Sequence, residues 1–169
     1  MIFTAYADGR LDLGGSSVPC ALGAAGVIPA ADKREGDRRT PIGDWPLRQV
    51  LYRPDRPGGS PVTALPVQAI GRDDGWCDAP GDDAYNRPVK LPYAASAEAL
   101  WRDDELYDLV VVLGYNDDPA VAGAGSAIFL HLAKADYGPT EGCVALARPH
   151  LEALLAEAKP GDILAVRRD

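Results

Sequence analysis

The chain of 169 residues has the length of one domain, with 47% hydrophobic residues and a formal net charge of −8. This hydrophobic fraction excludes a disordered chain, and the acidic balance argues against binding to nucleic acid or anionic lipid, which needs clustered Lys and Arg. We expect one globular domain over residues 1–169, without a nucleic-acid partner.

No segment predicts a membrane anchor or an export signal. The apolar runs fall short of the roughly 18 residues that a transmembrane helix needs, and the first residues lack a basic stretch followed by an apolar one. We therefore expect no transmembrane segment and no signal peptide in this chain. A cytoplasmic location, export by another route and a removed leader all stay open.

The three cysteines, Cys20, Cys77 and Cys143, predict neither a metal site nor a disulfide framework. Their number is odd, no CxxC spacing occurs, and the only histidines are His131 and His150. Protein zinc sites need several Cys or His ligands at characteristic spacings. We therefore expect no metal.

The first two thirds of the chain are rich in turn signals and contain one predicted helix. Surface turns are marked by Gly14-Gly15, Pro57-Gly58-Gly59 and Pro80-Gly81-Asp82. Residues 95–108 predict a helix, because Ser96 is a suitable N-cap and apolar residues follow at helical spacing.

The last third predicts two strands, a helix and a final strand. Residues 106–116 contain the apolar run LVVVL, which is typical of a strand buried on both faces, and residues 126–133 form a second short apolar segment. Residues 147–162 predict a helix with Pro149 in its first turn and Leu151, Leu154 and Leu155 on one face. Residues 162–168 then return as a strand. With 15 Pro and 18 Gly, the sequence predicts a mainly β domain of the α+β class.

Cys143 and His131 are a candidate nucleophile and base. A thiol with a pKa of about 8.5 is mostly protonated at neutral pH and needs a base, usually an imidazole, to take its proton. His131 lies on the predicted strand 126–133, and Cys143 follows 12 residues later, after a loop that can return the chain. Gly142 permits a tight bend, in which the amides of Gly142 and Cys143 can serve as oxyanion donors. The Thr140 hydroxyl can fix that turn.

Both residues also have ordinary structural explanations. A lone cysteine in an apolar stretch is a small buried side chain more often than a nucleophile, by roughly three to one. A lone histidine on an apolar strand is likewise more often a core residue than a catalyst. The spacing of the pair does not by itself decide between these interpretations.

Two motifs resemble those of the L,D-transpeptidase catalytic domain (YkuD type), a bacterial cell-wall family. The family signature is a histidine, a variable loop and the motif Ser/Thr-x-Gly-Cys. In this chain it matches His131, the loop 132–139 and the segment TEGCV at residues 140–144. Upstream, RTPIGDWPL at residues 39–47 is similar to the family's Thr-Pro-x-Gly-x-aromatic segment. Residues 114–116 and 125–131 match a subgroup, and the resemblance extends from about residue 33 to the end.

The resemblance implies a β-sandwich with a few short helices, one of them near the C-terminus. It makes Cys143 the nucleophile and His131 its base, in acyl transfer on peptidoglycan stem peptides through a thioester, with no cofactor. The implied location is the bacterial envelope or periplasm. Ala145, where many members carry Arg, and Leu132, where many have Gly or Asn, imply a divergent choice of substrate.

Five further residues are candidates for substrate contacts: Tyr115, Asn116, Ser126, Asp136 and Tyr137. Tyr115 and Asn116 follow a buried strand, where capping of the strand end explains them equally well. Asp136 and Tyr137 lie in the loop before the cysteine motif.

The segment 76–86 offers weaker candidates. Trp76, Tyr85 and Asn86 lie in a predicted loop that either covers the site or packs on the sheet. Cys77 has acidic neighbours, which would raise the pKa of its thiol and disfavour a role as nucleophile.

Three functions are therefore compatible with the sequence. The first is an L,D-transpeptidase that cross-links stem peptides or attaches a protein to them. The second is an L,D-carboxypeptidase or endopeptidase that hydrolyses the same bonds, and it differs only in whether water or an amine resolves the thioester. The third is a non-catalytic wall-binding module.

Overall fold

Thirteen β-strands and one α-helix form the framework of the protein, seen in a computed structural model that describes residues 1–169. The strands are β1 Ile2–Tyr6, β2 Arg10–Asp12, β3 Ser17–Pro19, β4 Val27–Pro29, β5 Thr40–Tyr52, β6 Val67–Ala69, β7 Asp74–Cys77, β8 Pro88–Lys90, β9 Ala97–Ala99, β10 Leu109–Leu113, β11 Phe129–Leu132, β12 Val144–Leu146 and β13 Ile163–Arg167. The helix α1 spans Arg148–Glu157, and a short 3-10 helix spans Ala30–Asp32.

The long strand β5 joins two leaves of one large sheet, whose order is β12-β11-β10-β5-β13-β1-β2-β3. The first half of β5 pairs with β4 and β13, and its second half pairs with β10 and β6. The main core of 22 buried residues takes side chains from both leaves and from α1. The prediction of a mainly β, sandwich-like fold with a short helix near the C-terminus is confirmed.

Strand β10 is buried on both faces, as its uninterrupted apolar sequence predicts. Leu109, Val111 and Leu113 belong to the main core. Val110 and Val112 point to the opposite face and belong to a second cluster of 9 buried residues, which also contains Cys143. The face of this leaf that turns away from the main core is therefore covered as well.

A small sheet of order β8-β7-β9 contributes part of that cover. Trp76 of β7 and Leu100, which directly follows β9, belong to the second cluster. The helix predicted for residues 95–108 is wrong, because residues 97–99 form β9 and pair with β7 instead. Pairing with a distant strand outweighs the local helical pattern here, since propensity is a weak determinant of structure.

The C-terminal predictions are confirmed with small shifts of their ends. Helix α1 is 10 residues long, has a proline in its first turn and buries Leu151, Leu154 and Leu155. Strand β13 follows and pairs with β1 in parallel and with β5 in antiparallel orientation. No helix of the structure has the length and apolar character to span a membrane.

Candidate active site

Cys143 and His131 face the same side of the sheet. Strands β11 and β12 pair in parallel, with Leu130 opposite Val144 and His131 opposite Ala145. Because side chains alternate along a strand, Leu130 and Val144 point into the main core, while His131 and Cys143 point to the other face.

A cavity of about 650 Å³ opens over this face, and both Cys143 and His131 line it. The two residues are largely buried, with exposed fractions of 7% and 6%. Of the other residues predicted for the site, Thr140 and Ser126 also line the cavity. The cavity is thus the space in which a substrate can meet the thiol.

The turn before Cys143 is fixed by the Thr140 hydroxyl. Its Oγ1 donates a hydrogen bond to the Cys143 carbonyl at 2.7 Å and accepts one from the Gly142 N–H at 3.1 Å. The Gly142 N–H is therefore engaged in the turn and is not free for the oxyanion role expected of it. The Cys143 N–H has no hydrogen-bond acceptor in the structure and stays available for that role.

The two sequence motifs meet at this turn. Thr40, fully buried at the start of β5, accepts a hydrogen bond from the Gly23 N–H at 2.9 Å and directs its own hydroxyl at the Cys143 carbonyl, 3.4 Å away. Gly142 has φ +140, and a Cβ there would lie 3.0 Å from the carbonyl oxygen of Arg39. The Thr-Pro segment thus forms the wall against which the cysteine turn packs, and only glycine fits that close approach.

The imidazole of His131 is held in one tautomer by the main chain. Its Nδ1 lies 2.8 Å from the carbonyl oxygen of Leu132, and because a carbonyl can only accept, Nδ1 carries the proton and Nε2 is unprotonated. Burial lowers the pKa of His131 to about 4, so the ring is neutral at pH 7. The group that orients the imidazole is therefore a backbone carbonyl, which no side-chain pattern reveals.

The sulfur of Cys143 has two main-chain partners. The thiol donates to the carbonyl of Ala127 at 3.2 Å, and Sγ accepts a hydrogen bond from the Phe129 N–H at 3.4 Å. Burial raises the pKa of the thiol to about 12, against a smaller lowering by the Phe129 N–H. The resting pair at pH 7 is therefore a thiol and a neutral imidazole, with no charge on either group.

Two charged side chains near the sulfur, Glu98 and Lys33, were not predicted from the sequence. The negative charge of Glu98 raises the pKa of Cys143, and the positive charge of Lys33 lowers it. Both line the cavity, where Tyr107 donates to Glu98 at 2.6 Å and packs its ring against His131 at 5.3 Å. The wrong helix prediction for residues 95–108 concealed the positions of Glu98 and Tyr107, and no motif marks Lys33.

Four of the five predicted substrate contacts do not line the cavity. Tyr115 is buried and donates its hydroxyl to the Ala124 carbonyl, and the Asn116 side chain binds main-chain groups of Val121 and Gly125. Asp136 is exposed and accepts a hydrogen bond from the Gly138 N–H, and the neighbouring Tyr137 is half-buried in the same loop.

Ser126 is the predicted contact that does line the cavity, and it is tied to a carboxylate there. Its hydroxyl donates to Glu35 at 2.8 Å, and the Tyr85 hydroxyl donates to the same carboxylate oxygen. Segment 76–86 was predicted either to cover the site or to pack on the sheet. Trp76 packs on the sheet, since its ring centroid lies 5.1 Å from that of Phe129. Cys77 is fully buried in the same layer.

Comparison with known families agrees with the motifs. The family model described as the L,D-transpeptidase catalytic domain, YkuD, matches residues 2–166, which include both Cys143 and His131. No curated protein matches the chain.

Proposed function

The chain belongs to the L,D-transpeptidase catalytic domain family (YkuD), which acts on peptidoglycan, and on this premise we propose that Cys143 is the nucleophile and His131 the general base of an acyl transfer on stem peptides. The observation that carries the proposal is the position of these two side chains on one face of the sheet, in the wall of one cavity. The Nδ1–carbonyl contact of His131 adds support, since it leaves Nε2 as a proton acceptor.

Proton transfer accompanies attack in this scheme. Because the pKa of the thiol is raised to about 12 and that of His131 is lowered to about 4, a preformed ion pair of thiolate and imidazolium is disfavoured. Sγ attacks the carbonyl carbon of the amide that precedes the terminal D-residue while Nε2 takes the thiol proton. The negative oxygen of the tetrahedral intermediate faces the Cys143 N–H, which is free to donate.

The same imidazole then acts as an acid. An imidazolium with a pKa of about 4 is a stronger acid than an ordinary imidazolium, and it gives its proton to the nitrogen of the leaving D-residue as the C–N bond breaks. A thioester on Cys143 remains. An amine or a water molecule attacks its carbonyl carbon, and His131 takes the proton of the attacking group. The C–S bond then breaks, and His131 gives that proton to the sulfur, which restores the thiol and the neutral imidazole.

The acceptor separates the two enzymatic functions, and product analysis distinguishes them. The purified protein is incubated with a disaccharide-tetrapeptide, and the products are read by mass. A cross-linked dimer indicates transfer, and a tripeptide without dimer indicates hydrolysis. Cys143→Ala is the control, and turnover that persists in this variant would contradict the proposed nucleophile.

A substrate-independent experiment tests the nucleophile itself. A carbapenem carries a strained cyclic amide that forms a stable acyl-enzyme with an active thiol. We expect one covalent adduct by intact-protein mass, mapped to Cys143 and absent from Cys143→Ala. No adduct together with no turnover would favour the non-catalytic wall-binding module instead.

A further inference from the structure

We propose that Asn86 positions the sulfur of Cys143 from outside the cavity, by fixing the conformation of Ala127. Asn86 does not line the cavity and is therefore a positioning residue rather than a catalytic one. Its importance for turnover rests on the proposed role of Cys143 as nucleophile.

The Asn86 side chain is buried and makes every hydrogen bond that its amide can make. Its Oδ1 accepts from the Trp76 indole N–H at 2.9 Å and from the Ala127 N–H at 3.0 Å. Its Nδ2 donates to the carbonyls of Tyr115 at 3.0 Å and Asn116 at 2.7 Å. With an exposed fraction of 4%, it ties together three segments that are distant in sequence.

Ala127 carries the effect of Asn86 to the sulfur. It has φ +51, in the left-handed region that is unfavourable for a residue with a Cβ. Its N–H is held by Asn86, and its carbonyl accepts the thiol of Cys143 at 3.2 Å. Because the N–H and the carbonyl of one residue are linked through its φ and ψ, holding the first in this conformation sets the direction of the second.

A second contact runs from Asn86 to the sulfur through Trp76. The Trp76 ring packs edge-to-face on the ring of Phe129, with centroids 5.1 Å apart, and the Phe129 N–H donates to Sγ at 3.4 Å. Of the two main-chain groups that contact the sulfur, the Ala127 carbonyl belongs to a residue bound by Asn86, and the Phe129 N–H belongs to a residue packed against Trp76, which Asn86 also binds.

The loss of Asn86 changes the thiol in a defined direction. Ala127 can then leave the left-handed region, and its carbonyl turns away from the sulfur. A carbonyl acceptor stabilises the protonated thiol, so its loss lowers the pKa of Cys143. The Phe129 N–H, which also lowers this pKa, stays in place because Phe129 belongs to β11, which is paired with β10 and β12. Glu98 and Lys33, the charged groups that act on this thiol, stay unchanged. The thiol becomes more reactive towards small reagents while it loses the carbonyl that sets its direction in the cavity.

The test is the pH profile of Cys143 alkylation by iodoacetamide in Asn86→Gly, read by peptide mass so that Cys20 and Cys77 do not contribute. Glycine is chosen because Asn86 itself has φ +56, which glycine adopts without strain. We expect the midpoint of the profile to fall and the rate at pH 8 to rise about tenfold, while turnover of stem peptide falls at least as much.

Tyr137→Gly is the matched control. Tyr137 also has a left-handed backbone, φ +53, but it does not line the cavity and makes no hydrogen bond to Asn86, Ala127 or Trp76. We expect an unchanged alkylation profile. An Asn86→Gly profile that superimposes on wild type, or an equal shift in Tyr137→Gly, would overturn the role of Asn86. If the wild-type protein turns over no stem peptide, the proposed function fails. The alkylation profiles still decide whether Asn86 positions the sulfur of Cys143.

A second measurement uses the wild-type protein, so it tests the proposal even if Asn86→Gly does not fold. A methanethiosulfonate reagent caps Cys143 in the wild-type protein, with the modified site confirmed by mass. We expect the amide resonances of Ala127 and of the Asn86 side chain to shift. Unchanged resonances would show that sulfur and amide are not coupled.

Discussion

The Nδ1 atom of His131 lies 2.8 Å from the carbonyl oxygen of Leu132, the next residue along the chain. The carbonyl is firmly placed, because the Leu132 side chain is packed in the main core. The imidazole is thereby oriented without a second polar side chain, and its Nε2 is left unprotonated, as the proposed role of His131 as base requires.

The reactivity of Cys143 in the resting protein should rise steadily with pH. Because burial raises the pKa of the thiol to about 12, the thiolate fraction increases about tenfold per pH unit below that value. We expect iodoacetamide alkylation of Cys143 to follow this slope from pH 7 to pH 10. A plateau near neutral pH would reveal a thiolate–imidazolium pair and contradict the resting state that we describe.

His131 should make the protein less stable in mild acid. Its folded-state pKa of about 4 lies below the ordinary value of 6.5, so between these pH values the unfolded chain binds a proton that the folded chain does not. The free energy of unfolding therefore falls as the pH drops from 6.5 to 4, by up to about 3 kcal/mol from this group. Urea titrations of wild type and His131→Asn measure it. Equal pH dependence in the two proteins would be the contrary result.

Removal of the Thr140 hydroxyl should loosen the cysteine turn. Thr140→Val loses the 2.7 Å bond to the Cys143 carbonyl and the acceptor of the Gly142 N–H. We expect a loss of about 1 kcal/mol in the free energy of unfolding and a fall in kcat/KM of about fivefold or more. Thr140→Ser keeps the hydroxyl and should stay close to wild type; a serine variant as impaired as valine would point to packing instead.

A side chain at Gly142 should be strongly disruptive. Gly142→Ala places a Cβ 3.0 Å from the Arg39 carbonyl at φ +140, and we expect a loss of roughly 3 kcal/mol from strain and crowding. Gly26→Ala separates the two causes, because Gly26 has φ +80 with open space around its Cβ position. It should cost about 1 kcal/mol. Denaturant unfolding of both variants measures which one loses more free energy of unfolding. An equal loss in the two variants would show that crowding by Arg39 contributes nothing.

The charge of Glu98 should restrain the thiol. Because this carboxylate raises the pKa of Cys143, Glu98→Gln should lower that pKa and speed alkylation at pH 8. Glu141→Gln is the control, since Glu141 also lines the cavity but is largely exposed and paired with Arg38 at 3.1 Å. Its alkylation profile should match that of wild type, and an equal acceleration would indicate a general effect of net charge.

Features that depend on neighbours in the chain followed from the sequence alone. The LVVVL run of β10 and the leucine face of α1 are local patterns, and burial of an apolar run or of one helix face needs no knowledge of the partner. The separation of His131 and Cys143 is also local, since a strand, a loop and a parallel return place both side chains on one face of the sheet. The mainly β class and the family resemblance rest on such patterns.

The environment of the site was decided by the tertiary structure. Residues 97–99 are a strand because β7 offers them partners 20 to 24 positions away in the chain, and this pairing outweighs a helical pattern. Glu98, Lys33 and Asn86 are all distant from Cys143 in the chain and approach its surroundings only in the folded structure. The tautomer of His131 depends on a backbone carbonyl, and the raised pKa of the Cys143 thiol depends on burial. Every residue has a backbone carbonyl, so only the folded structure determines which one contacts the imidazole.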